Sequence, residues 1–245
     1  MNLIVLGSSS TGNGYLLRSS AGDVLIIETG IKLAKVKEIL NFDLSKVHGA
    51  ILSHSHQDHS GRVGEYLAAG IRCYAAPETI EEKGLAHHNF IPLAPKVTLN
   101  FGPFAVMPFA LVHDVTCYGY LIRADECGQV CFITDTLYCH YKFRGLSQVI
   151  IEANYSDEIL DINTTSGRTI LPVRNRVVSS HMSLETCRAF LRANDLRAVR
   201  NIVLIHLSSS NSSSVGFRDD IQRMTGKQTY IATPGMTINM NLNPF

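Results

Sequence analysis

The chain has 245 residues, 45% of them apolar and 18% charged, so it can bury a sizeable core and extended disorder is excluded. With 22 Lys and Arg against 21 Asp and Glu the formal charge is +1, and no global field steers the protein toward a polyanion. Six cysteines without a C-x-x-C pair, no basic-then-apolar leader and no apolar run of membrane length point to a reduced, cytoplasmic protein with no membrane partner.

The predicted elements begin with strands at 3–6, 15–18 and 24–28. Between the first two lies the tract Gly7 to Gly14, which lacks the Lys-Ser/Thr of a phosphate-binding loop and reads as a tight turn. Residues 31–40 place Ile31, Leu33, Val36, Ile39 and Leu40 on one face, which predicts a helix. A buried strand follows at 49–52 and a helix at 61–69. Strand-like runs recur at 71–75, 96–100, 104–107, 118–122, 130–134 and 148–152. The stretch 164–180 shows no clear period and predicts an irregular, functional or mobile segment. Helices at 183–194 and 215–225 flank an apolar strand at 202–205. No linker or repeat divides the chain, so 1–245 reads as one α/β (α+β) domain of sheets covered by outer helices.

Three of the ten histidines fall within six residues. The strand at 49–52 runs into His54-x-His56-x-Asp58-His59, and imidazole and carboxylate are the usual ligands of zinc and related divalent ions. Four ligands on one short loop serve a single ion poorly and two ions well: His54 and His56 face one, Asp58 and His59 the other. A histidine-rich surface loop is the bland alternative. Further ligands close other apolar strands: His113 after 109–112, Asp135 after 130–134 as a bridging carboxylate, and His206 after 202–205. Zinc, manganese and iron all suit this mixture. Arg168, Arg174 and Arg176 lie in the irregular segment. Guanidinium forks there suit phosphate oxygens, and a solvated basic loop is the equal alternative.

Taken in order, the cluster, His113, Asp135 and His206 resemble the metallo-β-lactamase fold superfamily over nearly the whole chain. The tract Gly7 to Asn13 with Tyr15-Leu16-Leu17 resembles its WalJ/YycJ-like exonuclease branch, which is similar to tRNase Z. So do Ile151-Glu152-Ala153-Asn154, Ser180-His181-Met182-Ser183 and the run from His206 to Asn211. The resemblance implies an αββα sandwich of two mixed sheets and a dinuclear centre at one edge, with His54, His56, Asp58, His59, His113, Asp135 and His206 as ligands. It also implies Glu152 paired with His181 beside the metals, and Ser208 and Asn211 as substrate contacts with Arg174 and Arg176. This chain departs from the family at Glu28, where Asp is usual, at Leu137 and Ser180, where Gly is usual, and at Ser212, where a second Asn is usual.

The expected protein is a hydrolase with two divalent ions, Zn²⁺ or Mn²⁺ (or Fe), acting on a nucleic acid, DNA by preference, from an end. A hydroxide held between the ions attacks phosphorus, with Asp58, His181 and Glu152 as catalytic residues: His181 protonates the leaving oxygen and Glu152 orients it. His56 stands where di-iron oxygen-reducing relatives carry Glu, which favours hydrolysis. The alternatives are a hydrolase of a small substrate (cyclic nucleotide, thioester or lactone) and a non-catalytic metal- or DNA-binding component. A narrow closed pocket favours the first and a blocked metal position the second. A homodimer is held open.

Overall fold

In the computed structural model, which describes residues 1–243, the first half of the chain builds one sheet. Strands β1 (Asn2–Gly7), β2 (Gly14–Arg18) and β3 (Val24–Ile27) pair antiparallel through tight turns. Helix α1 (Leu33–Ile39) then carries the chain to β4 (Val47–Ile51), parallel to β3. Short helices α2 (Gln57–Ser60) and α3 (Val63–Ala68) lead to β5 (Cys73–Ala75), and α4 (Pro77–Lys83) leads to β6 (Phe90–Pro92). Both strands extend the sheet in parallel, as crossovers of this length require.

The second sheet repeats that plan. Strands β7 (Leu99–Phe101), β8 (Phe104–Leu111), β9 (Cys117–Ala124) and β10 (Gly128–Ile133) form an antiparallel meander. Strand β11 (Leu146–Glu152) joins β10 in parallel. Helices α5 (Asp157–Thr165), α6 (Leu171–Ser180) and α7 (Leu184–Ala193) precede β12 (Asn201–Ile205), and α8 (Ser214–Thr225) precedes β13 (Gln228–Ile231). Strands β12 and β13 are again parallel additions, and β14 (Thr237–Asn239) crosses back to pair with β1. The two seven-stranded sheets have the orders β14-β1-β2-β3-β4-β5-β6 and β13-β12-β11-β10-β9-β8-β7.

Side-chain alternation sorts the core into layers. Val5, Tyr15, Leu17 and Leu25 on the first sheet meet Tyr120, Ile122, Phe132 and Ile150 on the second, with Tyr15 and Phe132 edge to face at 5.7 Å. Their strand neighbours face outward: Leu16, Ile26 and Ala50 pack under Val36 and Tyr66, and Cys131, Val149 and Ile202 under Phe190, Leu191 and Phe217. Strands covered on both faces read as unbroken apolar runs, which is why 202–205 stands out in the sequence. The architecture is the αββα sandwich of two mixed sheets. Among the described residues no helix is long and apolar enough to cross a membrane.

The irregular segment expected over 164–180 is instead helical. Helix α5 runs to Thr165 and α6 fills Leu171–Ser180, leaving only a short connection between them. The period is hidden because α6 presents little to the core: Leu171 and Val173 are exposed, while Val177 and Ser180 are buried. The start of α5 did carry a signal, since Ser156 caps Ile159 N–H and Asp157 and Glu158 occupy its first turn.

Candidate metal centre

Parallel strands that end together deliver their next residues to one edge of the sandwich. Strand β4 is followed by His54, His56, Asp58 and His59, β8 by His113, β10 by Asp135, β11 ends on Glu152, and β12 is followed by His206. Three residues at strand ends turn through the left-handed region: Glu28 (φ 68°), Asp135 (φ 37°) and His206 (φ 53°). That conformation costs a non-glycine residue roughly 1–2 kcal/mol, and such strain collects where side chains must be aimed. Here it turns two carboxylates and an imidazole out of the strand direction into one cluster.

Ligand atoms of His54, His56, His113 and Asp135 lie within 4.8 Å of one another, as do those of Asp58, His59, Asp135 and His206. Asp135 is common to both groups. In the first group, His113 Nδ1 lies 2.9 Å from the Ser180 carbonyl, an acceptor only, so Nδ1 carries the proton and Nε2 presents its lone pair inward. That Nε2 sits 3.3 Å from His56 Nδ1. His54 Nδ1 lies 2.8 Å from Ser53 Oγ, while His54 Nε2 is buried without a hydrogen-bond partner among the described residues. A buried orphan of this kind costs about 1–3 kcal/mol. Three imidazole nitrogens converging on a carboxylate, one of them orphaned, fit a divalent cation.

In the second group, Asp58 Oδ2 lies 3.2 Å from His59 Nε2 and 3.1 Å from His206 Nε2, and His59 Nε2 is 3.3 Å from Asp135 Oδ2. Behind the ring, His59 Nδ1 faces the fully buried Glu28 carboxylate at 3.6 Å, so the Glu at this position still reaches the imidazole. Such outer partners orient ligand imidazoles and raise their basicity.

The charges differ between the two groups. Burial works against a charge on His59 and His206, but the carboxylates of Asp135 and Asp58 outweigh it. The pKa of His59 stands well above the ordinary imidazole value and that of His206 is pushed up to about 10. Burial and the neighbouring His59 instead hold His54 well below it, hence neutral. A cation at the second group therefore displaces protons, and its affinity falls as the pH falls.

Beside both groups His181 Nδ1 lies 2.7 Å from Glu152 Oε1. Glu152 is fully buried, and its Oε2 accepts the backbone N–H groups of Thr136 and Met182, each at 3.1 Å. Burial opposes charge on both partners, yet each charge sustains the other, so Glu152 titrates below and His181 above its ordinary value. His181 lies at the C-terminal cap of α6.

A cavity of about 280 Å³ opens over this centre, lined by His56, Asp58, His113, Asp135, His181 and His206, with Ser10, Gln57, Asp114 and Arg176 among its other walls. Arg174 is not part of that lining, and its guanidinium is 2.8 Å from Asp161 on α5. Ser208 and Asn211 are not part of it either. Ser208 Oγ accepts the Asn211 N–H at 3.2 Å, and Asn211, 3% exposed, uses Oδ1 to accept from Asn163 at 2.9 Å. The turn after β12 thus ties α5 to the sandwich. Asn13, Ser53 and Asp114 belong to the site although no metal-ligand spacing marks them; Asp114 Oδ1 is 3.0 Å from His113 Nε2. Ser53 adjoins the cluster, and Asn13 lies in the glycine-rich tract read as a turn.

Two mixed sheets with a His-x-His-x-Asp-His loop and His113, Asp135 and His206 at the same edge are the arrangement of the metallo-β-lactamase fold. A family model described as the metallo-beta-lactamase superfamily matches residues 9–119, which supports that superfamily for this chain. No curated protein sequence matches it. Among solved structures, the chain is similar to the metallo-beta-lactamase fold protein YhfI from Bacillus subtilis (19% identity, 97% of this chain and 98% of that one, TM-score 0.70). It is similar to Zn²⁺-bound PqqB from Methylobacterium extorquens (15% identity, 97% and 99% covered, TM-score 0.71). A third is the short form of human tRNase Z (14% identity, 98% and 99% covered, TM-score 0.61). At these identities the likeness is one of fold.

Proposed function

We propose that the protein is a dinuclear metal-dependent phosphodiesterase that shortens nucleic acid, DNA by preference, from an end. The observation that carries this reading is the His181–Glu152 pair, its carboxylate fully buried and its imidazole at the cavity wall, set against two ligand groups that share Asp135. Two divalent ions, zinc or manganese, or iron, held by His54, His56, His113, Asp135 and by Asp58, His59, Asp135, His206, would supply charge against phosphoryl oxygens and acidify water. The chain's own residues do the rest. Arg176 at the cavity wall offers a guanidinium fork to a phosphate. His181 spends Nδ1 on Glu152, which leaves Nε2 to give a proton to the leaving oxygen. Glu152 fixes that tautomer and sustains the imidazolium. Asp58 keeps His59 and His206 in register through Oδ2. The likeness to tRNase Z in fold agrees with phosphodiester chemistry.

A second reading, hydrolysis of a small phosphodiester such as a cyclic nucleotide, is favoured by the cavity itself. Its volume of about 280 Å³ is at the lower end for ligand sites, and one arginine is a short electrostatic track for a polymer. Protein reconstituted with Zn²⁺ or Mn²⁺ separates the two when assayed on end-labelled single-stranded and duplex DNA, RNA, cyclic nucleotides and bis-p-nitrophenyl phosphate. Progressive shortening of DNA is the expected result. Cleavage of cyclic nucleotides alone would move the protein to the second reading, and no cleavage of any phosphodiester would overturn both.

A further inference from the structure

The glycine-rich tract between β1 and β2 reaches directly beneath the second ligand group. Asn13 is 1% exposed. Its Nδ2 lies 3.1 Å from Asp58 Oδ2 and 3.0 Å from His59 Nε2, two ligand atoms of that group. The same nitrogen is 3.1 Å from the Ser9 carbonyl and 3.3 Å from the Asp58 carbonyl. Two acceptor-only carbonyls fix the orientation of the amide, because a flip would set Oδ1 against both. The backbone adds to the grip: Asn13 N–H donates to the Asp58 carbonyl at 2.7 Å, and Gly30 N–H donates to the Asn13 carbonyl at 3.0 Å. A Cβ at Gly30 would overlap the Asp58 carbonyl oxygen, so the close approach needs glycine there.

On the other side of the amide, Oδ1 is buried with no hydrogen-bond partner among the described residues. An orphaned acceptor costs about 1–3 kcal/mol, so an asparagine that merely filled a turn would sit here at a loss. The donor side offsets that loss, and the one side-chain oxygen it holds is that of Asp58 in the second ligand group. Among the described residues no amide plays this part at the first group, where His54 Nε2 has no partner.

We infer that Asn13 is the positioning residue of the second metal site, its carboxamide N–H holding the Asp58 carboxylate in the orientation that ion requires. This rests on the dinuclear reading above. The N–H occupies one lone pair of Asp58 Oδ2 and leaves the other lone pairs of that carboxylate for the cation. Without it a carboxylate on a two-torsion side chain, partly open to the cavity, is free to swing away. The effect is confined to the second ion.

The test is a Co²⁺ titration of the metal-free chain, followed by its visible spectrum and by calorimetry, for the wild type, Asn13→Ala, Asn13→Asp and Asn13→Ser. The wild type is expected to take two ions. In Asn13→Ala the second ion should bind roughly 10–100-fold more weakly, the cost typical of losing an outer-shell partner, with the first unchanged within about twofold. Asn13→Asp, of equal shape but with an acceptor against Asp58, should lose at least as much. Asn13→Ser, which keeps a hydroxyl donor in a milder change, should lie between and serves if the others fail to fold. An unchanged or tighter second ion, or equal weakening of both ions, would overturn the role of Asn13. A wild type that takes one ion would instead overturn the dinuclear reading on which the inference rests.

Discussion

Asp135→Asn should reduce the metal content of the reconstituted protein from two ions per chain to one or fewer and remove phosphodiester cleavage. The carboxylate is the only member shared by the two ligand groups, and it faces His54, His59 and His206 at 3.8, 3.3 and 3.4 Å. Removing an outer-shell partner typically costs 10–100-fold in metal affinity or activity, and loss of a shared ligand should exceed that on both counts. The substitution keeps the shape of the side chain, so the fold should persist. Its charge loss has a second reading, because Asp135 helps hold His59 and His206 above their ordinary pKa values. In the metal-free variant both imidazoles should titrate at lower pH, which NMR of the ring protons would register. Two ions bound with full turnover would contradict the assignment.

The second large effect is expected at His181. If its imidazolium supplies the proton to the leaving oxygen, His181→Ala should slow cleavage of DNA by about 10²–10⁴-fold while both ions still bind. The pH dependence has a definite sign. His181 titrates above the ordinary imidazole value because Glu152 and Asp135 outweigh the penalty of burial, so the acid form persists to higher pH. Cleavage that depends on it is present below that raised pKa and declines as pH rises through it. The alanine variant should lose this alkaline limb. Glu152→Gln, which removes the sustaining charge, should move the limb toward lower pH. A p-nitrophenolate leaving group departs without a proton, so bis-p-nitrophenyl phosphate should suffer much less from His181→Ala than DNA does. Equal losses on both substrates would reduce His181 to a structural residue at the end of α6.

Much of this candidate centre is legible in the sequence. A strand that ends in His54-x-His56-x-Asp58-His59 has one geometric outcome, since side chains that leave a buried strand at its C-terminal end crowd one sheet edge. The single residues after β8, β10 and β12 are readable for a similar reason: an apolar run makes the first ionisable residue after it conspicuous. Asn13 was not readable as a site residue. Its contact with Asp58 spans 45 positions and depends on a close approach of two turns that leaves no periodic trace. The stretch 164–180 hides its helix because Leu171 and Val173 of α6 are exposed and only Val177 and Ser180 are buried, which leaves no continuous apolar stripe. Arg174 and Arg176 look equivalent in the sequence, yet on a helix two positions apart they point to different sides, one to Asp161 and one to the cavity. Asn211, adjacent to a ligand strand, is consumed by packing against Asn163 and Thr169.

Among the described residues three ligand combinations are geometrically open at this edge, since Asp135, Glu152, His181 and His206 also lie close enough to hold an ion. The roles assigned above require that this third combination stay free, with His181 as an acid and not a ligand. Anomalous diffraction from crystals grown with Mn²⁺ or Zn²⁺ decides between them directly. Two peaks are predicted, one among His54, His56, His113 and Asp135, the other among Asp58, His59, Asp135 and His206. A single peak, or a peak held by Glu152 and His181, would contradict the account.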